Sequence, residues 1–182
     1  MKDNRVNQGD FREALSRTAA TVSVVTTDGD CGRAGLTVSS MCSVSDNPPS
    51  LLVCVNQESG VCDIIRKNGV MCVNVLRNEH AYISDAFGGR LADSNQNPFD
   101  CANWEVSVTG APVMSKALIS LDCTIKNELR YGTHYILVGE VENLTLHSPG
   151  APLVYSARAY QPLGDAESLS LEEVEYTWER YT

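Results

Sequence analysis

The chain reads as a mainly β protein of α+β composition, an antiparallel barrel carrying peripheral helices. Three observations predict it. Short β-branched runs recur at hairpin spacing with turn residues between them. Two long alternating stretches, 117–128 and 134–146, follow one another almost directly. No G-x-G-x-x-G sequence occurs, so a parallel βαβ nucleotide-binding sheet has no support. With 182 residues, 43% of them hydrophobic, the chain can hold one real core and is most simply one domain.

The elements follow in order. Asp10 is positioned to cap a helix, with Glu13 three residues on completing a capping-box pattern. Phe11, Ala14, Leu15 and Thr18 share one face at helical spacing. Residues 21–27 are β-branched throughout except Ser23 and read as a strand, ended by the turn 28–32. Residues 35–45 read as one strand, closed off by Asn47-Pro48-Pro49, and 51–56 as its neighbour. A helix over 59–67 has Ser59 as N-cap and Gly69 as its stop. A buried strand covers 70–76 and a short helix 79–87. Residues 88–103, rich in Gly, Asn, Asp and Pro, predict a long surface loop, and loops of that length often have a job. A strand at 104–108 and a turn at 110–112 lead into the two long strands, joined by 129–133; 153–160 is the last strand. A loose helix is expected around 169–178.

Charge and cysteines narrow the function. The net charge is −9, of which residues 165–182 carry −5. An acidic chain without a basic stripe is a poor nucleic-acid binder. No apolar run approaches the length a membrane span requires, and the polar N-terminus has no signal-peptide core, so a cytoplasmic location is expected. Seven cysteines without a C-x-x-C pair, and three scattered histidines, give no metal-ligand spacing; no metal site is expected, and the cysteines are expected reduced.

The unusual segment is 37–45, where six of nine side chains are small hydroxyls or a thiol. A core strand would spend those positions on Val, Ile and Leu. Small polar side chains leave room against the backbone and line it with donors, which suits a flat ligand bearing a phosphate.

The runs Thr37-Val38-Ser39-Ser40, Cys42-Ser43-Val44-Ser45, Asn47-Pro48-Pro49, Leu52-Val53-Cys54-Val55-Asn56 and Ser59 resemble the flavin reductase-like family. Further landmarks follow in family order: residues 10–15, 26–29, 72–76, Phe87-Gly88-Gly89, Gly132-Thr133-His134 and 153–160. Within the family the chain is most similar to the small reductase component of two-component flavin-dependent monooxygenases, of the 4-hydroxyphenylacetate 3-monooxygenase reductase type. The resemblance implies a split β-barrel over 10–163, flanked by a flexible N-terminus (1–9) and an acidic C-terminal tail (164–182). It implies an NAD(P)H:flavin oxidoreductase, with NADH the preferred donor, that reduces FMN or FAD and supplies it to a separate monooxygenase. A homodimer with the flavin site between subunits is implied as well.

Hydride transfer from nicotinamide to flavin requires no protein nucleophile. It requires two rings held about 3–3.5 Å apart and hydrogen bonds that tune the flavin. By resemblance, Thr37, Val38, Ser39 and Ser40 lie along the flavin ring, Cys54, Val55 and Asn56 meet its pyrimidine end, and Ser59 contacts phosphate. Ser39 stands where many relatives carry Asn. Cys42, Ser43, Phe87, Gly88, Arg158 and Tyr160 complete the expected cofactor set. Ser45, Arg66, Lys67 and Arg90 are further phosphate candidates. His134 is expected on the nicotinamide side, positioning NADH or steadying reduced flavin. The alternative reading is a protein that holds flavin as an electron-transfer or sensor module without turning over free flavin.

Overall fold

The computed structural model describes residues 6–90, 96–161 and 163. The expected tail helix at 169–178 lies outside them. The elements are α1 (Gln8–Ser16), β1 (Ala20–Thr21), β2 (Ser23–Thr27), β3 (Ala34–Val38), β4 (Met41–Asp46), β5 (Pro49–Asn56), α2 (Gly60–Asn68), β6 (Val70–Val75), α3 (Ala81–Phe87), β7 (Trp104–Val106), β8 (Pro112–Met114), β9 (Ile119–Tyr131), β10 (His134–Leu146), β11 (Val154–Ser156) and β12 (Ala159–Gln161). Short 3-10 turns cover Asn78–His80 and Pro98–Cys101.

Seven strands form one antiparallel sheet in the order β3-β2-β6-β9-β10-β5-β4. The outermost strands, β3 and β4, are consecutive in the chain, separated only by Ser39 and Ser40. In a flat sheet they would lie about 29 Å apart. The three Cα steps from Val38 to Met41 reach at most about 11 Å. The sheet must therefore roll up until its two edges come within that reach, without pairing with each other among the described residues. Ser40 sets the chain onto the far edge, extending the β4–β5 ladder by one residue: its hydroxyl donates to the Cys54 carbonyl at 2.9 Å and accepts from the Cys54 amide at 3.1 Å. The single strand expected over 35–45 is thus two strands, broken where the chain crosses the seam.

The rolled sheet encloses one core, built from Val25, Val53, Val55, Met71, Val73, Cys123 and Leu137, with Cys62 and Ile65 of α2 plugging it. Ser59 caps α2 and Gly69, at φ 70°, ends it, as the sequence predicts. A second core lies outside the sheet, under α3, where Val22, Val24, Leu76, Ile83 and Leu153 meet a cluster of Phe87, Phe99 and Trp104. β2 lies between the two cores, with Val25 on one side and Val24 on the other, both fully buried. That explains its β-branched run: both faces are apolar. Buried Asn74 ties the layers together, since its Oδ1 accepts the Met114 amide at 2.9 Å and the Ser120 hydroxyl at 3.0 Å.

Several expectations are corrected. Asn7, not Asp10, caps α1, its side chain accepting the Asp10 amide. Glu13 is used instead by Arg17 and Arg158. α1 buries none of its residues, so the face carrying Phe11 and Leu15 stays exposed. β8 occupies a stretch expected to be a turn and its far side, held by the Asn74–Met114 bond and by pairing with β7. The β9–β10 connection shrinks to Gly132-Thr133, with Gly132 at φ 55°. The expected last strand is a hairpin, β11–β12, that turns at Ala157 and Arg158 with φ of 51° and 61°. A turn of that hand usually uses Gly or Asn, so the sequence carries no turn signal there.

Two predictions follow from the packing. A Cβ on Gly35 would sit 2.7 Å from Phe87 Cε1 and 3.2 Å from the Val25 carbonyl oxygen. Phe87 is wedged in the aromatic cluster and cannot retreat, so Gly35→Ala should cost about 1–3 kcal/mol, read as a lower urea midpoint. The thiols should also divide sharply. Burial raises the pKa of Cys72 far above the usual thiol range and pushes Cys123 up to about 12, while Cys31 and Cys42 are exposed. In native protein at pH 8 a disulfide reagent should label Cys31 and Cys42 within minutes and leave Cys62, Cys72 and Cys123 unreacted until denaturant is added.

Candidate functional site

A cleft of about 210 Å³ opens beside the seam of the rolled sheet, and Thr37, Val38 and Ser39 form one wall. β3 pairs with β2 on one side only, so its other edge carries main-chain groups with no strand partner among the described residues. Val38 is 6% exposed, with its side chain in the barrel core, so it meets the cleft through its main chain. Ser39 is exposed and Thr37 half-buried. The Thr37 hydroxyl donates to the Ser84 carbonyl at 2.7 Å, which locks β3 to α3.

The opposite wall comes from the end of α3 and the β11–β12 hairpin. Tyr155 and Tyr160 are a cross-strand pair, edge to face at 5.4 Å between ring centroids. The Tyr160 hydroxyl lies 2.7 Å from Asp85 Oδ1 and 2.9 Å from Ser84 Oγ. A phenol has one proton, and the charged Asp85 is the stronger acceptor. Burial, then the neighbouring carboxylate, raises the Tyr160 pKa, so the phenol stays protonated across the neutral range. Gly88 and Arg90 complete the rim, with the Arg90 guanidinium 3.3 Å from the same Asp85 oxygen. Hydrogen bonding to Tyr155 raises the Arg90 pKa further, so its charge is permanent.

The seam carries the wall onward. Ser40 is bonded to Cys54; Asn56 lies two residues along β5 and pairs across the sheet with His134. Asn56 Oδ1 accepts the Glu58 amide at 3.0 Å, the Gln57 amide donates to the Thr133 carbonyl at 3.0 Å, and Ser59 caps α2 just beyond. The exposed His134 has its Nδ1 2.9 Å from the Thr133 hydroxyl. Thr37, Ser39, Ser40, Cys54, Asn56, Ser59 and His134 thus form one line running from the cleft along the outer side of β5.

Other expected site residues are placed elsewhere. Val55 is 1% exposed and its side chain fills the barrel core, so only its main chain is available to a ligand. Phe87 belongs to the aromatic cluster behind the cleft, where Gly35 makes room for its ring. Arg158 sits at the hairpin turn and bonds Glu13 of α1 at 2.7 Å, outside the cleft lining. Cys42 and Ser43 are exposed on the edge strand β4, past the seam. Arg66 is drawn away by Glu128, at 2.6 and 2.8 Å, and stacks 3.9 Å above the Tyr135 ring.

The sequence reading missed Tyr155, Ser84 and Asp85. Tyr155 and Tyr160 are five apart, an odd spacing that puts them on opposite faces of a continuous strand. The unmarked turn between them makes them cross-strand partners. Ser84 and Asp85 looked like ordinary polar helix positions, and only the approach of the hairpin gives them a role.

The residues fit a flavin nucleotide. The free strand edge offers main-chain donors and acceptors to a flat ring, Tyr155 and Tyr160 offer an aromatic wall, and Arg90 is the one cation among the described lining residues. No group of three metal-ligating side chains occurs among the described residues.

Comparison with known proteins agrees with this geometry. The profile of the flavin reductase like domain matches residues 15–164. The chain is 45% identical over 158 residues to the FMN reductase (NADH) RutF of Pseudomonas syringae, covering 87% of this chain and 88% of that protein. It is 42% identical over 154 residues to RutF of Agrobacterium fabrum, covering 85% and 87%. Among solved structures it is similar to BorF, the flavin reductase component of a bacterial two-component tryptophan halogenase. The TM-score is 0.79 at 29% identity, over 87% of this chain and 99% of that one. It is also similar to the Streptomyces globisporus NADH:FAD oxidoreductase SgcE6 in complex with NAD and FAD fragments. There the TM-score is 0.80 at 25% identity, over 88% and 95%. By profile, identity and fold, the chain belongs to the flavin reductase like domain family.

Proposed function

We propose that this protein is an NADH-dependent flavin reductase that takes FMN as its preferred substrate and passes the reduced flavin to a separate monooxygenase. The observation that carries this reading is the free edge of β3, facing a cleft whose described lining has two tyrosines and a single cation, in a chain 45% identical to an FMN reductase (NADH). No helix among the described residues is long and apolar enough to cross a membrane, and the proposed location is the cytoplasm.

Bound flavin supplies the hydride acceptor; the chain supplies position. The main chain of Val38 and Ser39 hydrogen-bonds the polar rim of the ring, and Thr37, fixed by Ser84, holds that strand still. Arg90 takes the phosphate. Asn56, with an amide that both donates and accepts, meets the pyrimidine end through the seam. His134, two-residue turn behind it, orients the nicotinamide nucleotide. No side chain is asked to move a proton in the hydride step.

The same geometry favours a homodimer. Tyr131 and Leu129, next to His134 on the outer face of the β9–β10 ribbon, are 78% and 58% exposed. Large apolar groups so exposed beside a site mark a docking surface. A second copy would cover them and close the open side of the seam.

NADH oxidation followed at 340 nm, with FMN, FAD, riboflavin or no flavin added, tests the reading. Turnover should depend on added flavin and rank FMN first; binding of FMN without turnover with NADH or NADPH would replace the reductase by an electron-transfer or sensor protein. His134→Ala should lower kcat/KM for NADH about tenfold, the loss of roughly one hydrogen bond to a charged group, while the dissociation constant for FMN stays within twofold.

A further inference from the structure

The cleft holds one cation and one anion among its described lining residues, and they face each other. Arg90 and Asp85 are 3.3 Å apart. Asp85 is not free to turn away. Its Oδ1 also receives the Tyr160 hydroxyl at 2.7 Å, and the Tyr160 ring is set against Tyr155 by the hairpin register. Its backbone is held in α3, whose neighbouring Ser84 carbonyl is bonded to Thr37. The carboxylate is therefore a fixed negative charge beside the group that would receive a phosphate.

A site built for tight phosphate binding would leave its arginine unopposed, with its N–H fork open to the anion. Here a phosphate must compete with Asp85 for the same guanidinium and must approach a like charge. Arg90 has 60% of its side chain exposed and Asp85 40%, so the pair is open enough for a ligand to intrude.

Resting on the reductase reading above, we propose that Asp85 is an affinity-limiting residue: it opposes the flavin phosphate at Arg90 and so keeps flavin exchangeable. Its charge is kept at a cost in binding. The hold on the ring is left to β3, and the hold on the phosphate is weakened. A reductase that hands its product to another protein requires this balance, because a phosphate gripped by an unopposed arginine would slow product departure.

The test compares FMN with riboflavin, which has the same ring and no phosphate. Asp85→Asn removes the charge and keeps an oxygen for the Tyr160 hydroxyl, so the wall should stay in place; an unchanged melting temperature checks this. Flavin binding is read by fluorescence quenching in low salt. The variant should bind FMN about five- to twentyfold more tightly, the factor expected from removing one charge a few ångström from a phosphate at a protein surface. Riboflavin should change less than twofold, and the FMN gain should shrink at high salt. Asp85→Glu should behave like the parent protein. Product release should slow, lowering kcat with FMN but not with riboflavin.

FMN affinity that is unchanged or weaker in Asp85→Asn would overturn the proposal. So would an equal gain for riboflavin, which would make the effect one of wall shape. Tighter binding of NADH with FMN unchanged would assign the phosphate seat to the nicotinamide nucleotide and overturn it too. The reductase reading stands or falls separately, on flavin-dependent NADH oxidation by the unsubstituted protein.

Discussion

Everything in this fold depends on how little chain separates its two sheet edges. Ser39 and Ser40 must carry the backbone from the first strand of a seven-stranded sheet to the last. No flat arrangement allows it. The sheet rolls, the interior fills with Val, Met and Leu, and α2 stops the end. The roll leaves a seam between β3 and β4, each of which has one edge without a strand partner among the described residues, and the β3 edge faces the cleft. Ser40 anchors the far side of the seam by serving both main-chain groups of Cys54 at the start of the β4–β5 ladder, as a backbone residue would. The small hydroxyls that looked out of place in a strand are there because the segment is part strand, part closure and part ligand wall.

Function follows from the seam because unpaired main-chain groups are the one resource a sheet ordinarily uses up. A rolled sheet that closed completely would have none to offer. Here the second core, outside the sheet, supports the open edge from behind: Phe87 presses on Gly35, and Ser84 bonds Thr37. Rigid support under an open edge suits hydride transfer, where ring placement matters more than any acid or base.

Most of the fold was legible in the sequence where local pattern and tertiary demand agreed. α2 has its cap, its apolar face and its glycine stop, and all three are used. β2 shows as β-branched because both its faces are buried. Legibility failed where a tertiary contact replaced a local signal. The β11–β12 turn has Ala157 and Arg158 in place of the usual glycine, secured by the Ala157 amide on the Ser16 carbonyl and by Arg158 on Glu13. β8 exists because Asn74 reaches it. In the site, residues near one another in sequence, such as Thr37 and Ser39, could be grouped from pattern alone. Asp85, Tyr155 and Tyr160 are brought together by a hairpin that no pattern announced.

The placement of the cysteines has a consequence for durability. Reduced flavin reacts readily with oxygen, and peroxide formed beside a flavin reductase attacks thiolates in preference to thiols. Cys62, Cys72 and Cys123 are buried, and burial holds each of them in the thiol form. The barrel wall thus acts as a barrier to oxidant as well as to water. Damage should begin at Cys31 and Cys42, outside both cores, where an oxidised sulfur disturbs neither the packing nor the seam.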